Sequence, residues 1–262
     1  MYDKRSLPVV IFAYTTGYIG YYLTNILFML LSLPFVPLLA PFPRLRHRIF
    51  LRVIHWYAYV LTQIFLPLLG VCHVDEVSGL DRGKKLTPRL YVSNHRGRLD
   101  ALLLIGILKN TVVLIKSKHA KFPMLAHLVQ HCGFVSVDKS SAISISEALK
   151  KCCTVLKSGT NLLFFPEGTR STGTRLQTFG SMAFKVAIEQ DTPIVPVIIY
   201  SQNPFMAKKL SSFYPRKRIG YHIHFLDPVS PEENDSPADL SDRVRRLMTA
   251  ELKKQINLNS KL

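Results

Sequence analysis

The most constraining feature of this chain is a run without any charged residue, from Ser6 to Pro43. A run of this length can cross a bilayer, because a helical crossing needs about 20 apolar residues. Its second half is interrupted by prolines, at Pro34, Pro37, Pro41 and Pro43. Because proline breaks a helix interior, the pattern predicts one membrane-embedded helix from Leu7 to Leu33 and an irregular segment after it.

A second apolar run extends from Val53 to Val74, and a basic connector from Arg44 to Arg52 separates the two runs. If both runs crossed the membrane below a cytosolic domain, the connector would be translocated, against the positive-inside tendency. A two-helix hairpin that enters only one leaflet keeps every charge on the cytosolic side, and we favour this monotopic arrangement. A single crossing by the first run is the alternative.

Aromatic residues on the first run support a position at the membrane interface. They occur at helical spacing, as Tyr14, Tyr18, Tyr21 and Tyr22. Ordinary packing between helices is the alternative explanation for each of them.

The charge balance indicates an anionic partner. The chain has 34 Lys and Arg against 17 Asp and Glu, a formal net charge of +17. A hydrophobic fraction of 48% favours anionic membrane lipids, and we expect no nucleic-acid partner because no RNA-binding signature or zinc-ligand spacing is found. A basic soluble protein is the alternative.

The four cysteines show no metal-binding or paired pattern, which fits a reducing cytosolic setting.

The stretch LYVSNHRGRLDALLL, from Leu90 to Leu104, predicts a short buried strand, a polar turn and a helix. His95 lies in the turn, and Asp100 lies in the first turn of the helix, where the helix dipole favours an ionised carboxylate. A carboxylate beside an imidazole fixes its tautomer and raises its basicity, as a general base requires. The alternative is an Asp that caps its own helix beside a solvated His.

A second stretch, NLLFFPEGTRS, repeats this layout of strand and polar turn. Its turn carries Glu167, Gly168, Thr169 and Arg170. Because ligands collect at the carboxyl ends of strands in an open α/β sheet, the two turns predict one shared site.

Strands alternate with helices through the rest of the chain, which predicts an α/β fold with a mostly parallel sheet wrapped by helices. We expect a membrane-associated helical hairpin over residues 1–74 and the α/β domain over residues 75–262. Lys116 ends a predicted strand and opens a basic cluster that either holds a phosphate or touches lipid headgroups. His222 and His224 share a face of another strand, but no acidic partners at ligand spacing surround them, so we interpret them as structural and predict no metal site.

Four motifs, SNHRGRLD, GFVSVDK, FPEGTRS and PIVPV, resemble in order the four motif blocks of the lysophospholipid acyltransferases, typified by bacterial 1-acylglycerol-3-phosphate acyltransferase. The resemblance spans Leu90 to Tyr200, and the N-terminal apolar pair is similar to the membrane-embedded two-helix segment of bacterial members. It implies transfer of an acyl chain from acyl-CoA or acyl-carrier protein, as co-substrate and without a cofactor, to a lysophospholipid acceptor. The leading acceptor is 1-acylglycerol-3-phosphate, which gives phosphatidic acid. A bacterial inner-membrane enzyme with its catalytic domain on the cytoplasmic side is expected.

The resemblance also implies roles for the site residues. His95 is the general base, Asp100 orients it, Glu167 belongs to the essential site, and Arg170 binds phosphate beside Gly168 and Thr169.

Three positions depart from the family pattern, since members commonly have Ser at Gly97, Glu near Lys118 and Arg at Lys139. Lys139 keeps the charge but lacks the bidentate fork, which leaves another lysophospholipid or a lyso-aminolipid as rival acceptor.

Two competing hypotheses belong to different classes of function. One is a membrane-binding homologue without catalysis, and the second is a hydrolase in which His95 activates water.

Overall fold

A seven-stranded sheet is the centre of the structure, a computed structural model that describes residues 6–82, 88–171, 175–208 and 218–260. Its strands are β1 (Cys72–Ser78), β2 (Leu90–Ser93), β3 (Thr111–Lys116), β4 (Val135–Val137), β5 (Asn161–Phe164), β6 (Ile194–Tyr200) and β7 (Ile219–Phe225). The order is β1-β7-β6-β2-β5-β3-β4, and every pairing is parallel except that of β6 with β7. The predicted α/β fold with a mostly parallel sheet is confirmed.

The helices precede the sheet or pack on it. They are α1 (Leu7–Ser32), α2 (Phe35–Leu38), α3 (Pro43–Tyr59), a π-helical turn (Val60–Phe65), α4 (Leu66–Leu68), α5 (Asp100–Ile107), α6 (Pro123–His131), α7 (Ala142–Lys157), α8 (Met182–Glu189) and α9 (Pro237–Ser260). The first predicted helix ends within one residue of its predicted limit. Pro34 stops it because a proline cannot continue the hydrogen-bond ladder.

The basic connector is a helix, which the sequence analysis did not predict. Pro43 begins α3 at a position where its missing N–H is not needed, and arginine is a good helix former. The apolar face of this segment, Phe50, Leu51 and Ile54, is buried in the protein. Within the described residues, Pro43–Leu68 is the one helical stretch long and apolar enough to cross a membrane by length and composition, and 39% of its apolar window is buried.

The second apolar run ends inside the sheet. Its last residues, Cys72 to Val74, belong to β1 and pair with β7. The strand therefore begins shortly before the predicted boundary between residues 74 and 75, and that division into two domains stays a prediction.

The tyrosine face of α1 packs on the sheet domain, so its buried members are explained by packing, although against the sheet domain and not between helices as the alternative expected. Tyr14 is fully buried, and its hydroxyl donates to the carbonyl of Val71 at 3.2 Å. The ring of Tyr18 stacks on Phe205 at 4.8 Å. Gly17 permits this approach, because a Cβ there would lie 2.6 Å from Cγ2 of Val71. The other face of α1 exposes large apolar side chains, among them Phe12 and Leu31.

Helices α1 and α3 enclose an apolar cavity of about 430 Å³. Its walls include Leu27, Phe28, Leu31, Phe50, Val53 and Tyr57. The helical pair therefore presents apolar surface both outside and between its members.

The environment of His222 and His224 corrects the sequence analysis. Strand β1 pairs with β7 and brings the carboxylate of Glu76 within 3.7 Å of Nδ1 of His222 and 3.9 Å of Nδ1 of His224. Glu76 lies far from both histidines in the sequence, and only the pairing of β1 with β7 brings it next to them.

Candidate active site

The two motif turns leave the sheet side by side. Strands β2 and β5 are parallel neighbours, with Val92 opposite Phe164 in the register. Both turns therefore begin at the same edge of the sheet, where α/β folds bind ligands. The prediction that His95 and Asp100 share a site with the turn around Glu167 agrees with this arrangement.

His95 and Asp100 form a hydrogen-bonded pair. Nδ1 of His95 lies 2.9 Å from Oδ2 of Asp100, which also accepts the main-chain N–H groups of Arg96 at 2.6 Å and Gly97 at 2.8 Å. Asp100 is fully buried at the start of α5, where one oxygen of its carboxylate receives all three donors. An ionised carboxylate can only accept, so Nδ1 carries the proton and Nε2 remains a basic acceptor.

Glu167 holds the main chain of His95. Its Oε1 accepts the N–H of His95 at 3.0 Å, and its Oε2 accepts the N–H of Gln177 at 2.9 Å. From the same turn, the N–H of Ser171 donates to the carbonyl of His95 at 2.7 Å. Burial raises the pKa of Glu167, and the N–H groups of Gln177 and His95 oppose that shift. The second turn thus clamps both main-chain groups of His95.

Arg170 contacts a different loop. Its guanidinium donates to the carbonyl of Met206 at 2.7 Å, and Met206 has a positive φ of 55°. Glu167 and Arg170 form no ion pair with each other, since both oxygens of Glu167 accept main-chain N–H groups and the guanidinium contacts Met206. Burial, and then the charge of Arg98, lower the pKa of Arg170.

Gly97 lies against the loop that contains Met206, and this loop leaves no room for a side chain at that position. A Cβ at Gly97 would lie 2.6 Å from the carbonyl oxygen of Phe205, and Gly97 forms an isolated bridge with Ala207. The serine common at this position in the family would therefore collide with the loop. Within the described residues, Oδ1 of Asp100 is buried without a hydrogen-bond partner, and it lies 3.4 Å from that missing Cβ.

Three lysines form a cationic cluster beside the second turn. Burial lowers the pKa of Lys116, and the charges of Lys118 and Lys139 lower it further. Nζ of Lys139 would lie 2.8 Å from a Cβ on Gly168, which also has a positive φ of 62°. Glycine at this position therefore leaves room for an ammonium group, and Thr169 beside it is exposed. Closely spaced like charges repel, so the cluster is suited to an anion.

Further positioning residues were missed by the sequence analysis. The side-chain amide of Asn94 pairs with the main chain of Ile199 on β6 through two hydrogen bonds of 2.8 and 2.9 Å. The ring of Phe165 lies against His95, with centroids 4.5 Å apart. Tyr22 on α1 contacts Arg98 at 2.7 Å. Asn94 and Phe165 adjoin the motifs, and this adjacency is the one signal that could have found them.

A family model covers the part of the chain that carries both motif turns. The family model described as Acyltransferase matches residues 75–200. These residues belong to the acyltransferase family. The acyltransferase segment contains both motif turns and ends with β6, so every predicted site residue lies inside it.

Two named relatives match about two thirds of this chain. The chain is 29% identical to a chloroplastic 1-acyl-sn-glycerol-3-phosphate acyltransferase of Arabidopsis thaliana, over 69% of this chain and 48% of the relative. It is 31% identical to the alpha form of 1-acyl-sn-glycerol-3-phosphate acyltransferase of Mus musculus, over 66% of this chain and 61% of the relative. The chain thus spans about half to two thirds of these relatives' length.

The crystal structure of the 1-acyl-sn-glycerophosphate (LPA) acyltransferase PlsC from Thermotoga maritima resembles this protein at a TM-score of 0.66 and 19% identity. The match covers 91% of this chain and 97% of that chain, which shows that the fold is shared.

Proposed function

We propose that this protein transfers a fatty acyl chain from a thioester to the hydroxyl of 1-acylglycerol-3-phosphate, which yields phosphatidic acid. The observation that carries the proposal is the His95–Asp100 pair, in which Nε2 remains a base and 23% of the His95 side chain is exposed. The names of the relatives point to the same acceptor.

The reaction uses Nε2 of His95, since Nδ1 is already bonded to Asp100. Nε2 takes the proton of the acceptor hydroxyl as its oxygen attacks the thioester carbonyl, because an alcohol is a poor nucleophile at its own pKa. Asp100 stabilises the imidazolium that forms. The C–S bond then breaks, and the imidazolium returns the proton to the departing thiolate. The atoms balance without a covalent acyl-enzyme intermediate. Glu167 holds the main chain of His95 in place during the reaction.

The cationic cluster supplies a site for the acceptor's phosphate. Lys116 and Lys139 border the second turn, and Arg170 lies on it, so a phosphate there relieves the repulsion between the cations. Their charge does not select between phosphate-bearing acceptors by itself. Lysophosphatidate is favoured because its terminal phosphomonoester carries nearly two negative charges.

The membrane arrangement remains the monotopic one, with the catalytic domain at the cytoplasmic face of the inner membrane. It is supported by the exposed apolar side chains of α1 and by the arginines in the first half of α3. Anionic lipids would neutralise part of the +17 charge. The thioester donor is acyl-CoA or acyl-carrier protein.

Acyl transfer from labelled acyl-CoA, and then from acyl-carrier protein, to a panel of lysolipids tests the proposal. We expect transfer to lysophosphatidate, and a loss of about 10²- to 10⁴-fold in His95→Ala, the typical contribution of a general base. Asp100→Asn should also lose activity, because the amide stabilises the wrong tautomer. Asp242→Asn, exposed on α9, is the matched control and should behave as wild type.

Near wild-type turnover in folded His95→Ala would exclude this base. Free fatty acid released as fast as the thioester is consumed, whatever acceptor is present, would instead support the hydrolase. Liposome binding without turnover on any acceptor or donor would support the non-catalytic homologue.

Lys139→Ala tests the acceptor site. Its KM for lysophosphatidate should rise by about 10-fold or more, because a hydrogen bond to a charged group contributes about 1.5–3 kcal/mol. Lys185→Ala, exposed on α8, provides the control. An unchanged KM would remove Lys139 from the phosphate site.

A further inference from the structure

The pairing of β1 with β7 builds a second group of polar side chains at the edge of the sheet. The register shifts between Val74 and Glu76, so a β-bulge places Asp75 beside the strand pair. Gly220 makes room for it, because a Cβ there would lie 1.9 Å from Oδ2 of Asp75. Bulges re-aim side chains, and this one directs two consecutive carboxylates toward β7.

Two imidazoles and a carboxylate converge at this bulge. Ligand atoms of Glu76, His222 and His224 all lie within 4.8 Å of one another. His222 and His224 are two residues apart on β7 and so share one face of the strand. Glu76 reaches both rings, at 3.7 Å for His222 and 3.9 Å for His224.

The donor set and its spacing fit a transition metal. In a tetrahedral zinc site with bonds of 2.0–2.2 Å, neighbouring ligand atoms lie about 3.3 Å apart. The ligand atoms observed here lie within 4.8 Å of one another, and the Glu76 side chain, which is 51% exposed, has room to approach both rings. We propose that Glu76, His222 and His224 bind a divalent transition-metal ion, Zn²⁺ in preference to the others, with a fourth position left for water.

The surroundings of His222 match those of a metal ligand. Its Nδ1 faces Glu76, whereas its Nε2 lies 3.5 Å from Oδ2 of Asp75. The other oxygen of Asp75 lies 2.6 Å from Nε2 of His73. A carboxylate behind a metal-binding histidine fixes its tautomer and raises its basicity, and such partners typically change metal affinity by about 10–100-fold.

His224 is the buried ligand of the group. Its side chain is 9% exposed, and its Nδ1, 2.5 Å from the hydroxyl of Ser78, faces the cluster.

The metal site is separate from the acyltransferase chemistry. Strand β6 lies between β7 and β2, which places β7 about 10 Å from β2 at a strand spacing of about 4.8 Å. The proposal therefore does not depend on the proposed function. A metal bridging β1 and β7 would tie the edge strand that follows the membrane helices to the sheet.

The test uses full-length, tag-free protein in detergent after treatment with a chelator. Calorimetric titration with Zn²⁺ should show one equivalent bound, and Co²⁺ should give the visible absorption of a tetrahedral complex that Zn²⁺ abolishes. Zn²⁺ should also raise the melting temperature, because ligands of the native state stabilise it. Glu76→Gln and His222→Gln should each weaken binding by at least 10-fold, and Asp75→Asn by about 10–100-fold.

The matched control is the double variant His127→Gln/His131→Gln, which removes the other neighbouring pair of histidine rings, 4.6 Å apart on α6. It should bind Zn²⁺ as wild type does. The proposal fails if no stoichiometric binding is seen, or if half-exposed Glu76 can be replaced by Gln without effect. It also fails if the control variant, rather than His222→Gln, abolishes binding.

Discussion

At the scale of single residues, two carboxylates near His95 have different contacts. Asp100 bonds to the imidazole ring, whereas Glu167 bonds to the main chain of His95 and of Gln177. The sequence predicted both carboxylates for one site, and the structure brings both into contact with His95. It did not indicate what Glu167 contacts, because that depends on how two loops meet in space.

Glu167→Gln should reduce kcat by roughly 100-fold, since a misplacement of about 1 Å of a catalytic group has an effect of that size. The amide keeps one acceptor but presents a donor to the other main-chain N–H, which should lower the free energy of unfolding by about 1–3 kcal/mol. Steady-state kinetics with denaturant unfolding measures both effects.

Glu147→Gln, exposed on α7, is the matched control for this change. Equal kinetics in both variants would show that the contact between Glu167 and His95 does not position the base.

At the scale of elements, the site depends on which strands become neighbours. Strand β2 lies between β5 and β6, so one neighbour supplies Glu167 and the other receives the side chain of Asn94. Helix α1 adds a third contact surface, because Tyr18 stacks on Phe205 of the loop whose Met206 holds Arg170. Helix α1 and the site are therefore in physical contact.

Gly17→Leu should separate α1 from the sheet domain. The added side chain collides with Val71, breaks the hydrogen bond from Tyr14 and lowers the free energy of unfolding by about 1–3 kcal/mol, as overpacking does. Thermal denaturation in detergent measures the change, and activity should fall with it because the loop at Phe205 loses its partner.

Thr15→Leu, exposed on the same helix, should leave the melting temperature unchanged. If both variants melt alike, α1 does not dock as the structure shows.

At the scale of the whole molecule, apolar and basic surfaces occur together at the N-terminal end. Exposed side chains of α1 such as Phe12 and Leu23 favour lipid, and the arginines of α3 favour anionic headgroups. The monotopic hypothesis places all these arginines on the cytosolic side, whereas a hairpin that crosses twice would place them outside.

A cysteine at Leu45 tests this topology. The side chain of Leu45 is 49% exposed, and the four native cysteines are buried, so the background labelling should be low. We expect a membrane-impermeant thiol reagent to label Leu45→Cys only after the membrane is opened. Ile143→Cys, 73% exposed on α7, is the reference for the side on which the α/β domain lies. Labelling of Leu45→Cys in intact cells would exclude the monotopic arrangement.

Local patterns in the chain were sufficient for most elements and for the motifs, although they did not predict that the basic connector is helical. Hydrophobic periodicity and prolines predicted α1 and the alternation of strands and helices, and residue chemistry indicated His95, Asp100 and Glu167, because these signals depend on neighbours along the chain. Tertiary structure alone decided that Tyr14 and Tyr18 of α1 pack on the sheet domain, that Glu167 clamps the main chain of His95, and that Glu76 meets His222 and His224. Each of these contacts joins segments distant in sequence, where strand order and loop approach determine which groups meet.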